Sequence, residues 1–531
     1  MSQEVLTVAV SAIIALIIAV FLRQRGWGIA LPLILAGALV DIAPFGPDAL
    51  PEPELILVLI LAPLVFGEAL GSSYFDLRKV KLPVLALAIG LVIATTVVVG
   101  GVVSALVAIP IAVALALGAI LAPTDAVAVS TIAKRASIPR RLVSILEGES
   151  LVNDGTGLTA LRVAVVAAVA GSITLVDAAG VLVLAVGVGL AVGGLAGFVM
   201  SWVLRRSRDL VAANSLIVIA PFLIYLLAER FDGSGILAVV VAALWVASSQ
   251  HSDPGWSGRL QGTTVWRHLT FILQTFAFFL VGLEIPDVLQ RLDDQQLRLV
   301  GVLVPLVLVA LIVTRGLFVA AMVGVQRTRE RRVKDGRERQ AHLGKESVIV
   351  AWAGARGPIS GLAAFSLPLV TTAGDAFPYR DVLLATTFLI IVVTLLLSLT
   401  VGPLANRLGV ISDDDSTLTR DLDASLARAA LERLDDAIVE ADRDGHPIPH
   451  DVIDRLQEEL QRRIDRGRST ADTSKTQEIA TRQMFSLIRA MVQAEQEELL
   501  RLRDEEGLPD ALVRTRLREL DLRLQALGTE R

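Results

Sequence analysis

Residues 148–157 read GESLVNDGTG, within a run that is otherwise largely apolar, with LTALRVAVVAAVAG following directly. Ser150 and Asp154 are four apart and Ser150 and Asn153 three apart, so a helix gathers a hydroxyl, an amide and a carboxylate on one face. Glu149 points about 100° away from Ser150. Hard oxygen groups with no soft ligand among them suit an alkali cation. The bland alternative for Asp154 is a buried carboxylate hydrogen-bonded to a neighbouring helix.

Two other stretches put polar groups where apolar ones surround them. In LAPTDA, residues 121–126, Pro123 removes a backbone donor and clashes with the preceding turn, which predicts a helix broken at Thr124 and Asp125. Such a break frees carbonyls and amides. Asp125 then falls in the first turn of a half-helix, where its charge offsets the positive helix end, while Thr124 and the freed carbonyls are better placed to touch an ion. In WAGARGPISG, residues 352–361, glycine and proline flank Arg356 and predict a second interruption with a charge at its centre.

The elements that must hold these groups are membrane helices. Hydrophobic residues make up 54% of the 531 residues and the mean hydropathy is +0.65, whereas soluble proteins lie at about 45–50% apolar. Apolar runs recur from Val5 to about Pro403, and a window reading gives about 13 spans of roughly 20 residues or more. The expected fold is therefore all-α and polytopic, with a transmembrane domain over residues 1–410. Without cysteine there is no disulfide framework and no thiolate metal site. The first span is too long and poorly punctuated for a cleaved signal and is expected to stay.

Basic residues set the expected orientation. They crowd the connections after odd-numbered spans, as in RKVK (78–81), KRASIPRR (134–141) and RTRERRVKDGRER (327–339), with about 22 on that side against roughly four on the other. The N-terminus is thereby expected outside and the C-terminus in the cytoplasm. With the seventh span as a linker, spans one to six and eight to thirteen become two inverted six-helix repeats, and both predicted breaks fall in the fifth helix of their half. Paired interruptions of this kind point to an ion site where the broken helices cross.

An ionisable group at a helix centre costs about 2.5–3.5 kcal/mol on insertion scales, so the few present need partners or a task. They are Glu68, Asp125, Glu147, Glu149, Asp154, Arg162, Glu284, Arg315 and Arg356. Arg162 is expected to be structural, Glu284 and Arg315 to cap or pair at helix ends, and His268 to be interfacial. Beyond residue 410 the character changes. Residues 411–531 carry 28 acidic and 19 basic side chains, and apolar residues such as Leu456, Leu460 and Ile464 recur at helical spacing, which predicts a cytoplasmic domain of packed amphipathic helices. It contains no phosphate loop, EF-hand loop or nucleotide fingerprint, and no cofactor and no nucleic-acid partner are expected.

The combination of APTDAVAVS, EGESLVNDGTG and AGARGPISGLA resembles the sodium/proton exchanger family, the monovalent cation:proton antiporter-1 family, over about residues 5–405, and the helical tail resembles that of its bacterial members. The resemblance implies a secondary antiporter of the cell membrane that exchanges Na+ or Li+ for H+. It also implies a homodimer, each protomer having a dimerisation part and a mobile six-helix core. Asp154 matches the ion-binding carboxylate, Asn153 its neighbour, and Ser150 and Thr124 auxiliary oxygen ligands; Glu149 and Arg356 match a structural ion pair. Asn153 in place of a second aspartate implies electroneutral one-for-one exchange. The departure is at PLVFGE, residues 63–68, where the family has its acid directly after the phenylalanine; Glu68 is displaced by one position as a further ligand. K+/H+ exchange or an electrogenic variant is the alternative. An intramembrane serine hydrolase built on Ser360 is disfavoured because no histidine lies at a span centre to serve as base, and a passive channel has no need of these paired constellations. The expected activity is transport, not enzymatic catalysis.

Overall fold

The computed structural model describes residues 2–43, 53–125, 138–171, 174–207, 209–250, 256–330, 336–410, 415–443 and 449–468, with short helical stretches between 491 and 520. Chain contacts divide it into two compact units, Met1–Ser412 and Asp413–Arg531. Among the described residues the regular structure is helical, with one isolated antiparallel bridge between Val370 and Ala376.

The first unit opens with α1 (Ser2–Gln24), α2 (Ala30–Ile42) and α3, which runs through Pro53–Ile56, Leu57–Leu61 and Ala62–Gly71. The middle piece of α3 is a π-turn. Pro63 has no N–H for the carbonyl one turn back, and the wider turn immediately before it absorbs that mismatch. The short α4 (Tyr74–Lys79) leads to α5 (Lys81–Val107) and α6 (Ile111–Leu121). Then follow α7 (Arg140–Ala170), α8 (Leu175–Arg206), α9 (Leu210–Arg230), α10 (Gly235–Gln250), α11 (Trp256–Arg291) and α12 (Asp294–Glu330). The unit closes with α13 (Gly336–Trp352), α14 (Pro358–Phe365), α15 (Arg380–Ser398) and α16 (Val401–Leu408).

Seven helical segments among the described residues are long and apolar enough to cross a membrane, and five shorter apolar helices accompany them. Their outward faces are apolar: Leu106 is 70% exposed, Val183 70% and Leu317 67%. That is the surface of a chain solvated by hydrocarbon, where backbone polar groups are satisfied inside helices and greasy side chains face out. Helices α11 and α12 run to 36 and 37 residues, longer than their apolar windows, because a helix continues past the hydrocarbon edge as long as its polar residues are solvated there.

Two interruptions fall where Pro123 and the frame of Arg356 place them. Helix α6 stops at Leu121, and Ala122–Asp125 are not helical; the remainder of that expected span, residues 126–132, lies outside the described residues. Helix α13 stops at Trp352 and α14 starts at Pro358, leaving residues 353–357 irregular. Proline suits that first helical position, because the N–H it lacks has no partner there in any case.

Helix α6 packs between α5 and α7, α14 against α15, α8 against α10, and α2 against α11. The last contact is backbone to backbone: a Cβ on Gly282 would fall 2.0 Å from the carbonyl oxygen of Ile34, and one on Gly37 would fall 2.2 Å from that of Phe279. In the second unit α17 (Asp415–Arg443) packs on α18 (His450–Arg468). Ala424, Ala427 and Ile464 are buried between them, but Leu456, expected in the same stripe, stays 46% exposed. Gly282→Val is expected to lower the stability of the detergent-solubilised protein by about 1–3 kcal/mol or more, since neither backbone can retreat without parting α2 from α11; thermal unfolding against wild type checks this, and an unchanged Tm would contradict the contact.

Candidate ion-binding site

The two interruptions meet. The backbone N–H of Asp125 donates to the carbonyl oxygen of Ala355 at 2.8 Å, and Nε of Arg356 donates to the carbonyl oxygen of Leu121 at 2.9 Å. Each break thus supplies the partners that the other lost when its helix unwound. Arg356 is 4% exposed; its own N–H donates to Oγ1 of Thr394 on α15 at 3.1 Å, and Nη1 bonds the carbonyl oxygen of Gly354.

Helix α7 lies beside this crossing and presents GESLVND to it. Glu149 is 1% exposed, Ser150 5%, Asn153 1% and Asp154 1%. A chain of hydrogen bonds runs through them. Nδ2 of Asn153 donates to Oγ1 of Thr124 at 3.0 Å, and the Thr124 hydroxyl donates in turn to Oε1 of Glu149 at 3.0 Å. Glu149 receives both terminal nitrogens of Arg315, Nη2 at 2.9 Å from Oε2 and Nη1 on Oε1. Nε of Arg315 donates to the carbonyl oxygen of Val350 at 3.0 Å and Nη2 to that of Ala353 at 3.3 Å.

One expectation is corrected by this network. The partner of Glu149 is Arg315, not Arg356, although Arg356 remains close enough to feel the charge of Glu149. Arg315, expected to cap or pair at a helix end, lies within the 37-residue α12 with its side chain 3% exposed, and from there it pairs with Glu149 and donates to the carbonyl oxygens of Val350 and Ala353 at the end of α13. The physical reason is geometric. A planar guanidinium that binds a carboxylate through both terminal nitrogens and two carbonyls through Nε and Nη2 has every nitrogen engaged, and α12 brings Arg315 to Glu149 with that fork aligned, while Arg356 is turned toward Leu121. The sequence signal was present in VTRGLF, a charge in the middle of a long apolar run, which by cost alone marks a paired buried group.

What the network leaves over defines the candidate site. Oδ1 of Asn153 and Oδ2 of Asp154 are buried and have no hydrogen-bond donor among the described residues. Thr124, expected to touch the ion, is engaged as donor to Glu149 and acceptor from Asn153, so its hydroxyl acts here as a bracket between α6 and α7. Asp125 reaches the crossing through its backbone. Glu68 on α3 accepts from Nε2 of Gln274 on α11 at 3.1 Å, and Glu68, Asp125 and Asp154 act electrostatically on one another. No three acidic or histidine side chains among the described residues converge tightly enough to hold a metal ion. Arg162 and Glu284 are paired. Arg162 binds Glu229 at 3.0 Å, Asp232 at 3.3 Å and the carbonyl oxygen of Gly233 at 2.8 Å, and Glu284 lies 3.6 Å from Arg291.

Residues 9–407 match the sodium/hydrogen exchanger transmembrane family. The chain belongs to that family. It is 33% identical over 430 residues to the sodium, potassium, lithium and rubidium/H+ antiporter of Bacillus pumilus, a match that covers 77% of this chain and 62% of that antiporter's length. It is 30% identical over 552 residues to an uncharacterised Na+/H+ exchanger of Escherichia coli, covering 99% and 98% of the two chains. Among solved structures it is similar to the sodium proton antiporter MjNhaP1 of Methanocaldococcus jannaschii, with a TM-score of 0.58 at 18% identity, over 76% of this chain and 99% of that one. That likeness is one of fold. The exchanger family and the run of apolar helices make the chain a multi-pass membrane protein.

The Glu149–Arg315 pair yields a direct test. Glu149→Gln or Arg315→Met alone is expected to cost about 3–5 kcal/mol by leaving one charge buried without its partner, and the double variant less than either single. Thermal unfolding of the three variants measures the coupling, which is expected to exceed that between Glu149 and Arg356.

Proposed function

We propose that this exchanger-family chain is a secondary antiporter that exchanges Na+ or a related monovalent cation for H+ across the cell membrane, with Asp154 binding either the cation or the proton. The observation that carries this reading is the contrast within one network. Arg315, Glu149, Thr124 and Asn153 satisfy one another, while Oδ2 of Asp154 and Oδ1 of Asn153, on adjacent residues, are buried without donors among the described residues. A carboxylate oxygen buried without a donor needs a positive charge or a proton to be stable there. Both compete for the same oxygen, and that competition couples the two fluxes.

Asn153, through the hydrogen bond that its side-chain Nδ2 donates to Thr124, fixes where its own carbonyl oxygen points. Ser150 lies one turn from Asp154 on the same helix and is a further oxygen ligand in this reading. Moving Asp154 between the two sides while it is charged and empty is opposed by desolvation, whereas the neutralised site can cross. Exchange then proceeds on ion gradients alone, and the chain acts as a transporter, not as an enzyme: Ser360 sits 2% exposed in α14 without a histidine at a span centre. We also read the chain as about 13 spans in two inverted halves whose broken helices meet at the site, with the N-terminus outside and the region after residue 410 in the cytoplasm. The basic residues concentrated on one side support that orientation. A homodimer embedded in lipid and a role in pH homeostasis accord with family membership.

Two experiments test the reading. Asp154→Asn is expected to abolish cation-driven proton flux in proteoliposomes while the protein still elutes as a folded species; retained flux would sink the assignment. Asn153 beside a single exchanging carboxylate predicts one charge for one charge. A membrane potential does work of about 2.3 kcal/mol per net charge per 100 mV, so Na+/H+ exchange under valinomycin-clamped potentials of opposite sign is expected to run at equal rates. An equilibrium that moves with voltage would instead require a second proton carrier.

A further inference from the structure

Several partly or fully buried glutamates among the described residues are neutralised by a guanidinium. Glu149 has Arg315, Glu229 has Arg162 at 3.0 Å and Glu284 has Arg291 at 3.6 Å. Glu68 differs. It has no cationic partner among the described residues, and it accepts instead from a neutral amide, Nε2 of Gln274, at 3.1 Å. An amide orients a carboxylate without cancelling its charge. A guanidinium in the same place would neutralise Glu68 and repel an approaching cation.

The placement of this pair is built in from both sides. Gln274 is 8% exposed on α11, so burying its amide is sustained by the bond to Glu68. One and two turns earlier on the same face stand Thr270 and Trp266, and α3 comes against them at Gly67, where a Cβ would fall 2.4 Å from Oγ1 of Thr270 and 2.8 Å from the Trp266 ring. The rings of Phe66 and Trp266 lie 5.1 Å apart. The glycine that displaces the acid by one position in PLVFGE is thus what lets α3 approach α11 closely enough for Glu68 to meet Gln274. Glu68 is also partly exposed, whereas Asp154 is 1% exposed, and the two charges act on each other.

We propose that Gln274 is a positioning residue: its amide holds Glu68 as an uncancelled outer carboxylate over which the transported cation passes to reach the buried Asp154. This role rests on the exchange reading and adds to it a residue that governs cation capture. Releasing Glu68 from Gln274 weakens capture without touching Asp154, so affinity changes and saturated turnover does not.

The test uses the full-length chain in proteoliposomes, with Na+-driven proton flux followed as Na+ is varied. Gln274→Leu keeps the bulk and removes the donor. Loss of a hydrogen bond to a charged group corresponds to about tenfold or more in the half-saturating Na+ concentration, with the saturated rate within about twofold of wild type. Glu68→Gln is expected to raise the half-saturating concentration similarly. Because both act through one carboxylate, the double variant is expected to be no worse than the worse single. Effects that multiply in the double variant overturn the proposal, as does a Gln274→Leu variant with unchanged half-saturation or with a lowered saturated rate alone. If Gln274→Leu does not fold, Gln274→Asn, which keeps an amide but withdraws it from Glu68, enters the same cycle. If wild type drives no cation-dependent proton flux, the exchange reading fails. The rise in Tm that Na+ gives the purified protein then decides the role of Gln274, since Gln274→Leu must diminish that rise for the role to stand.

Discussion

A helix that ends inside hydrocarbon leaves amides and carbonyls that no solvent can satisfy, and among the described residues α6 and α13 end beside one another. The solution is mutual. Asp125 donates its backbone N–H to Ala355, and the Arg356 guanidinium returns a bond to the carbonyl of Leu121. Separately, each break would leave buried polar groups unpaired at a cost of a few kcal/mol apiece; together they form a polar crossing that the remaining helices can enclose. The position of α7, and with it GESLVND, follows from that crossing.

Once the crossing exists, charge has to be balanced around it. Arg315 and Glu149 supply a pair in which every donor-bearing nitrogen of the guanidinium is used, one fork to the carboxylate and further bonds to carbonyls of Val350 and Ala353 near the second break. The pair therefore ties α7 and α12 to the end of α13. Thr124 extends it to the first break, and Asn153 closes the chain. Such a network is rigid because no member can turn without orphaning another. Rigidity here serves to leave Asp154 over, a carboxylate whose surroundings are already committed elsewhere.

Neighbouring acids take different parts according to their partners. Glu149 is neutralised and acts as a strut, while Asp154 has no donor on one oxygen among the described residues. Glu68 lies between these cases, oriented by an amide and without a cationic partner among the described residues. Three carboxylates of similar intrinsic chemistry are thereby separated by the cation, the vacant donor position or the amide set beside each of them, a division of labour typical of sites where charge must move.

Much of this was written along the chain. The hydrophobic runs determine that the chain is helical and lies in a membrane, because only helices and closed barrels satisfy their backbone there. Pro123 and the glycine–proline frame of Arg356 determine where two helices stop, since those are local properties of φ and of a missing N–H. The three- and four-residue spacing of Ser150, Asn153 and Asp154 determines their common face. Pairing is another matter. Whether Glu149 meets Arg315 or Arg356, and whether Glu68 meets a cation or the amide of Gln274, depends on side chains 166 and 206 residues away. Such partners are set by where α12, packed on α5, α13 and α15, places the Arg315 side chain and by how α11 packs against α3, through close approaches such as that at Gly67, and no local periodicity encodes them. Propensity and hydropathy act over one or two turns, whereas the donor that a buried carboxylate receives is decided by which distant helix arrives there with its nitrogen in register.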